Sequence, residues 1–357
     1  MDKDSTIFVG LDVHKDSIAI AAADPGREAP RFVGTVGPKL AELLKALDRL
    51  GDATQLRLAY EAGPTGYALA RSLAARGYAC EVIAVAKIPR RPGDRIKTDR
   101  RDALMLARYL RSGELTAVAI PDARDEAIRD LSRAREDAVR ARHKARQQLK
   151  AMLLRHGHRY SGKTAWTAAH ERTLAQITFD YPAQNLAFAE YRWAVRDTTD
   201  RVERLTQALR QQVEDWRFAP VVRAIMALRG IDFVAAAIII SELGDLARFE
   251  HPKQLMSFLG LVPSEASTGD SRVQGKITKT GNSHVRRILI ESAWAYRYPA
   301  RMSRDLVVRN QGLPQSIQAI AWKAQSRLCH RYRRFTIRGV HQNKTCVAIA
   351  RQAAPAV

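Results

Sequence analysis

The chain has 357 residues, with 59 Lys plus Arg against 37 Asp plus Glu, a net charge of +22 and a pI near 10.4. Such length allows two domains, and such charge calls for a polyanionic partner, nucleic acid first and an anionic membrane surface second. No apolar run approaches the ~20 residues of a membrane span. The acidic start Met1-Asp2-Lys3-Asp4 is not a secretory signal, and Cys80, Cys329 and Cys346 form no CxxC pair. A zinc site, a disulfide framework and a membrane anchor are thus not expected, and a reduced, cytoplasmic, nucleoid-associated protein is.

Thr6 to Leu11 and Ser17 to Ala23 read as two strands joined by a turn at Val13 to Asp16, and Arg31 to Val36 as a third. Pro38 to Leu50 carries Leu40, Leu43, Leu44, Leu47 and Leu50 at helical spacing. Leu56 to Ala62 is a strand. Pro64 to Gly77 reads as a helix with proline in its first turn, and Tyr78 to Val85 as another strand. A helix then begins at Asp99 and ends at Ser112. The order βββαβαβ followed by a helix is a ribonuclease-H-like α/β arrangement.

Four carboxylates punctuate this region. Asp12 follows the run Ile7 to Leu11, Glu61 follows Leu56 to Tyr60, and Asp99 and Asp102 open the helix. Carboxylates at strand ends and at one helix start converge at one sheet edge. Alone they repel and raise one another's pKa; a divalent cation removes that cost, and hard oxygen ligands suit Mg²⁺ or Mn²⁺. Each has a plainer role too: Asp99 as an N-cap, Asp102 in the dipole-favoured first turn, Asp12 and Glu61 as strand ends. Their joint order in a basic chain favours the metal site. Between strand and helix, Lys87, Arg90, Arg91, Arg95 and Lys97 make a basic loop suited to phosphate, or a solvated linker.

Ala127 to His156 is a long helix with a narrow coiled-coil-like stripe of Leu131, Ala134, Ala138, Ala141, Ala145, Leu149 and Met152. Its other faces are rich in arginine. A second long helix, from about Gln184 to Trp216, carries Phe188, Tyr191, Val195, Thr198, Val202, Leu205 and Leu209. Together they suggest an antiparallel arm that pairs with another subunit, or packs within its own chain. Ala227 to Ile231, then Ala235 to Leu243, resembles a helix-hairpin-helix, with Asp232 where many such hairpins have glycine. Pro263 to Gly269 and Gly275 to Asn282 form a loop stretch dense in hydroxyls, glycines and lysines, including Ser267, Thr268, Lys276 and Lys279. A helix with Arg286 and Arg287 follows. After Asp305 no acid occurs; Arg331, Arg333 and Arg334 alternate there with Trp322, Tyr332 and Phe335, a mixture suited to nucleic-acid backbone and base stacking.

Four stretches carry a family likeness. GLDVHKD at 10–16, YEAGPTGY at 60–67 and KTDRRDALMLARYL at 97–110 resemble the first domain of the DEDD transposases of bacterial insertion sequences, relatives of the Piv and MooV invertases. FLGLVPSEASTGDSRVQGKITKTGNSHVRR at 258–287 resembles their second domain. The resemblance implies a RuvC-like metal domain (1–123), a dimerising coiled-coil arm (124–218) and a mostly helical transposase domain (219–357). It implies divalent metal on Asp12, Glu61, Asp99 and Asp102, and a serine nucleophile. It also implies recombination of target and donor DNA guided by an RNA from the element itself, in a dimer or tetramer whose composite sites join the metal domain of one subunit to the serine of another. The family's usual serine position is Thr268 here, so either Ser267, which we prefer, or Thr268 is the nucleophile. Lys276, Lys279, Arg286 and Arg287 would then meet phosphate. Two rival readings remain: a metal-dependent junction-resolving nuclease, and a non-catalytic nucleic-acid-binding protein.

Overall fold

A computed structural model describes residues 6–89, 98–268 and 271–354; Arg90, Arg91, Arg95 and Lys97 lie outside the described residues. The chain divides into two compact units, Met1–Asp122 and Ala123–Val357. Among the described residues no helix is long and apolar enough to cross a membrane.

The first unit holds β1 (Ile7–Val13), β2 (Ile18–Ala23), β3 (Arg31–Val36), α1 (Leu40–Asp48), β4 (Leu56–Glu61), α2 (Ala68–Ala74), β5 (Ala79–Ile83) and α3 (Asp99–Ser112). The sheet order is β3-β2-β1-β4-β5. β1, β2 and β3 pair antiparallel, while β4 runs parallel to both β1 and β5. This is the mixed α/β sheet expected from the element order. On one face Val9, Leu11, Ile18, Ile20, Leu58 and Tyr60 pack against Leu43 and Leu47 of α1 and Leu73 of α2.

The other face belongs to α3, and it is lined with small residues. Ala19, Ala21 and Ala23 of β2 meet Ala103 and Ala107 of α3. Ala59 of β4 and Ile83 of β5 share a cluster with Leu106 and Leu110. Between them lies Gly10. A Cβ there would stand 2.3 Å from the Ala103 carbonyl oxygen and 2.5 Å from the Ala107 nitrogen. Backbone therefore lies on backbone, and only glycine permits it.

Two element starts differ from the sequence reading. α2 begins at Ala68, not Pro64, because Gly63 to Gly66 forms a turn: the Gly66 N–H donates to the Gly63 carbonyl, and the Tyr60 hydroxyl donates to the Gly66 carbonyl at 2.8 Å. Gly66 takes a φ of 65°, which ends any helix there. The cap of α3 is Thr98, not Asp99: the Arg101 N–H donates to its hydroxyl. Asp99 thereby keeps its carboxylate for other contacts in the first turn, which also carries Asp102.

The second unit is mostly helical. It runs α4 (Ala123–Arg155), α5 (Ala168–Ala175), α6 (Pro182–Glu214), α7 (Ala219–Ile225), α8 (Phe233–Leu243), α9 (Pro252–Phe258), β6 (Pro263–Thr268), β7 (Ser271–Ile277), α10 (Ser283–Ala293), α11 (Arg304–Asn310), α12 (Gln315–Ile337) and α13 (Gln342–Ala353). α4 and α6 are antiparallel: Ile128 shares a core with Leu209 and Val213, whereas Leu149 and Met152 meet Phe188 and Val195. Phe188, Val195, Val202 and Leu209 are buried at seven-residue spacing. Each long helix begins earlier than its apolar stripe suggested. In α4 the reason is Asp125, which is buried and accepts from the Trp216 indole at 2.7 Å and from Arg217.

Two stretches change character. The hydroxyl-rich loop is in fact a hairpin, β6 on β7, pairing Ser267 with Arg272 and Thr268 with Ser271. The basic tail is a pair of packed helices. Tyr332 is only 5% exposed, with its hydroxyl 3.8 Å from the Cys346 sulfur, so it is a core residue and not a stacking platform. Arg331, Arg333 and Arg334 stay exposed on α12.

The Gly10 contact makes a direct prediction. Gly10→Ala should lower the unfolding free energy by about 3 kcal/mol, the upper range for overpacking, because the new methyl meets backbone that cannot rotate away. Urea denaturation measures this, and a variant as stable as wild type would contradict the close approach.

Candidate active site

Strand alternation fixes the floor of the site. Gly10 faces α3, so Asp12 two residues on does too. Gly10 pairs with Ala59 and Leu11 with Tyr60, so Asp12 and Glu61 come level on adjacent parallel strands, on the same face. The first turn of α3 brings Asp99 and Asp102 to that edge. The Asp12 side chain is only 12% exposed, whereas those of His14 and Asp99 are open. Burial raises the Asp12 pKa; the charge and hydrogen bond of His14 oppose this, and Asp102 and Asp99 add to the rise. Asp12 thus senses both acids of α3.

The tightest group includes a residue that the sequence reading left out. One ligand atom each from Asp12, His14 and Asp99 lie within 4.8 Å of one another. His14 Nε2 stands 3.1 Å from Asp12 Oδ2 and 3.5 Å from Asp99 Oδ1. The signal was present as Asp-x-His: a strand continued by two residues returns to the same face. Glu61 and Asp102 are half-buried and are not part of this tightest group. Lys87 is exposed in the short turn after β5, at the same end of the parallel strands.

The donors fit a divalent cation. Ligands held at ~2.1 Å from one small ion lie at most about 4.2 Å apart, close to the spread seen here. Two carboxylates with one imidazole suit a first-row divalent ion.

In the second unit, the Ser267 hydroxyl donates to Glu265 Oε1 at 2.9 Å on the exposed face of the hairpin. Alternation puts Ser267, Glu265 and Gln274 on one side of the ribbon, and Thr268, Ala266 and Val273 on the other, above a register shift between Pro263 and Glu265. Thr268 is exposed too. The hairpin base is fixed by Gly281, where a Cβ would lie 1.8 Å from the Phe258 carbonyl oxygen, and by Arg286, which donates to the Leu259 and Thr280 carbonyls at 2.8 and 2.9 Å. Arg287 pairs with Glu136 and with Glu291. Both arginines thus hold protein groups. Lys276 and Lys279 are exposed and make no ion pair among the described residues.

Residues 9–157 match a transposase model, that of the DEDD domain of IS110-type elements, and residues 222–305 match the transposase model of the IS116/IS110/IS902 family. The putative transposase y4qE of Sinorhizobium fredii is 45% identical over 97% of this chain and 86% of its own length. The chain belongs to the IS110 family of insertion-sequence transposases. The transposase for IS1533 of Leptospira borgpetersenii is 29% identical over 92% of this chain and 96% of its own, and a probable family 20 transposase of Pseudomonas aeruginosa 27% over 80% and 83%. The protein is therefore an enzyme of DNA transposition, and its DEDD domain implies a divalent metal.

Metal binding should be measurable without turnover. Mn²⁺ at about 100 times its Kd should stabilise this transposase by about 2.7 kcal/mol. Asp12→Asn should lose that gain. With a raised folded pKa, ionised Asp12 weakens the metal-free fold as pH rises above the carboxyl range, so the variant should melt higher than wild type at pH 7 without metal. Equal Mn²⁺ shifts in both proteins, read by thermal denaturation, would contradict the assignment.

Proposed function

We propose that the transposase exchanges target and donor DNA strands by transesterification, guided by an RNA encoded by its own element. The observation that carries the chemistry is the pair of Ser267 and Glu265, a hydroxyl already donating to a carboxylate on an exposed, lysine-bearing ribbon. Glu265 takes the proton as the Ser267 oxygen attacks phosphorus. The P–O3′ bond breaks, a 3′-hydroxyl leaves with a proton, and the enzyme is joined to the 5′-phosphate. A new 3′-hydroxyl reverses the step on the other strand, so the bond energy is conserved and no ATP is consumed. Lys276 and Lys279 offset the charge of the phosphate. Thr268, on the opposite side of the ribbon, is the alternative nucleophile.

Asp12, Glu61, Asp99 and Asp102 would hold Mg²⁺ or Mn²⁺, with His14 beside them. When bound, such ions neutralise the phosphate oxygens and favour the in-line geometry of the displacement. The basic residues Lys87, Arg90, Arg91, Arg95 and Lys97 would guide the backbone toward this edge, and Arg331, Arg333 and Arg334 would add contacts on α12. The turn between α7 and α8 at Gly230 is read as a helix-hairpin-helix contact to phosphate. Residues 124–218 are read as the coiled-coil arm that joins subunits into a dimer or tetramer. The family likeness and the charge of +22 support a cytoplasmic, nucleoid-associated enzyme with RNA as well as DNA partners.

The test is a covalent trap. Wild-type enzyme on a nicked substrate should give a protein–DNA adduct that survives denaturation, mapped by mass spectrometry to Ser267. Ser267→Ala should abolish it, and Asp12→Asn should reduce it at least 10³-fold, roughly 4 kcal/mol of transition-state stabilisation. Cleavage without any adduct would mean that water attacks and the enzyme is a nuclease. An adduct on Thr268 would move the nucleophile by one residue.

A further inference from the structure

The second unit carries an unassigned line of guanidinium groups on α4. Arg135, Arg142 and Arg146 are spaced by seven and four residues. At 100° per residue they fall within about 40° of one face, along a run of ~16 Å. Arg135 and Arg142 line a cavity of about 810 Å³ walled by α4, α8 and α10. Arg146 lines a second cavity, of about 520 Å³, walled by α4, α5 and α6.

Among the described residues none of the three makes the close ion pair that usually accompanies a partly buried arginine. The Arg135 Nε donates to the Thr206 hydroxyl at 2.7 Å and makes no ion pair among the described residues. Arg142 makes no hydrogen bond or ion pair there either. The Arg146 Nε is buried without a partner, and its guanidinium lies 4.7 Å over the Trp166 ring. Across the second cavity the Arg192 Nε is also buried without a partner, with Glu171 at 4.0 Å from its other end. Burial, followed by the like charge of Arg142, pushes the pKa of Arg146 down; burial also lowers Arg135, with Arg142 and Arg287 adding to the fall against Asp232 and Glu136.

The acids nearby are largely committed. In the first cavity Glu136 holds His284 and Arg287, Glu291 holds Arg287, and Asp232 caps α8 through the Ala235 N–H at 2.8 Å. In the second, Arg146, Arg192 and Arg196 outnumber Glu171 and Asp200. Such a line is costly until an extended anion lies along it. A stacked strand advances 3.4 Å per phosphate, so ~16 Å spans at most about five nucleotides and fewer where the strand is extended. Trp193, which lines the second cavity beside Arg192 and Arg196, is 70% exposed. An aromatic face open to solvent among arginines stacks a base only if that base is unpaired.

We propose that this face of α4 binds an unpaired stretch of polynucleotide, with phosphates on Arg135, Arg142 and Arg146 and one base stacked on Trp193. The site depends on neither the nucleophile nor the metal ligands, so its failure leaves the transesterification reading intact, and the converse holds.

The experiment is fluorescence anisotropy of the full chain in EDTA with labelled U20 RNA, dT20 DNA and a 20-base-pair duplex across a salt series. Arg142→Ala should weaken single-strand binding about fivefold or more and reduce the salt slope by ~0.7, the value for one lost phosphate contact. Trp193→Ala should weaken single-strand binding by a similar factor and leave the duplex unchanged. Arg142→Lys should restore much of the affinity. Loss for both single strands supports recognition of backbone and base in general; loss for one alone supports the site and names the sugar it reads. Wild-type affinity in both alanine variants, or equal loss for duplex and single strand, would overturn the proposal. Arg142 and Trp193 make no hydrogen bond to the rest of the fold among the described residues, and circular dichroism melts identify any variant that is unfolded.

Discussion

The first unit depends on one contact, backbone against backbone at Gly10. A helix normally rides on large side chains, but over β1 and β2 α3 meets the sheet through Gly10 and the alanines of β2, and only toward β5 through Leu106 and Leu110. That closeness has a chemical result. The first turn of the helix comes down to the level of the strand ends, so Asp99 reaches the same His14 ring that Asp12 does. The crossover through α1 sets β4 parallel to β1 and brings Glu61 level with Asp12, and the Tyr60 hydroxyl secures the turn that follows.

The second unit solves a different problem, how to fix polar groups in a helical core. Glu242 shows the solution. Burial pushes its carboxyl up, but hydrogen bonds from Arg133 and Asn282 outweigh that and hold it below the ordinary range. The Arg133 contact spans α4 to α8, and the Asn282 contact ties in the start of α10, which Asn282 also caps. Asp125 likewise accepts from Trp216 and Arg217, and Glu136 pairs with His284 and Arg287. Buried acids thus consume a share of the arginines, whereas Arg135, Arg142 and Arg146 of α4 make no ion pair among the described residues. A count of charge alone cannot make that separation.

Much of the first unit was legible in the chain. Strand alternation and the leucines of α1 led to the sheet and its first helix, and the helix read from Asp99 to Ser112 has the bounds of α3. The placement of the four acids at strand ends and in the first turn of α3 followed from the same reading, since strand ends and helix starts are where a sheet edge forms. His14 was missed because it sits past the apolar run, where residues read as turn. The hairpin was missed for the opposite reason: Ser264 to Ile277 has hydroxyls and glycines where strands usually show branched apolar residues, and its ribbon is set by cross-strand pairing and by Gly281 at its base. Tyr332 and its neighbours misled because alternation of aromatic and basic residues reads alike whether the ring faces solvent or core; only the partner helix α13 decides.

The approach of α3 to β1 brings Asp12, His14 and Asp99 close enough to hold one cation. A crystal of the protein grown with Mn²⁺ and measured at the manganese absorption edge tests this most directly. An anomalous peak is expected about 2.0–2.3 Å from an oxygen of Asp12 and an oxygen of Asp99, the distances of ordinary carboxylate coordination. A saturated crystal with no peak at that edge of the sheet, or with one bound elsewhere in the first unit, would contradict it.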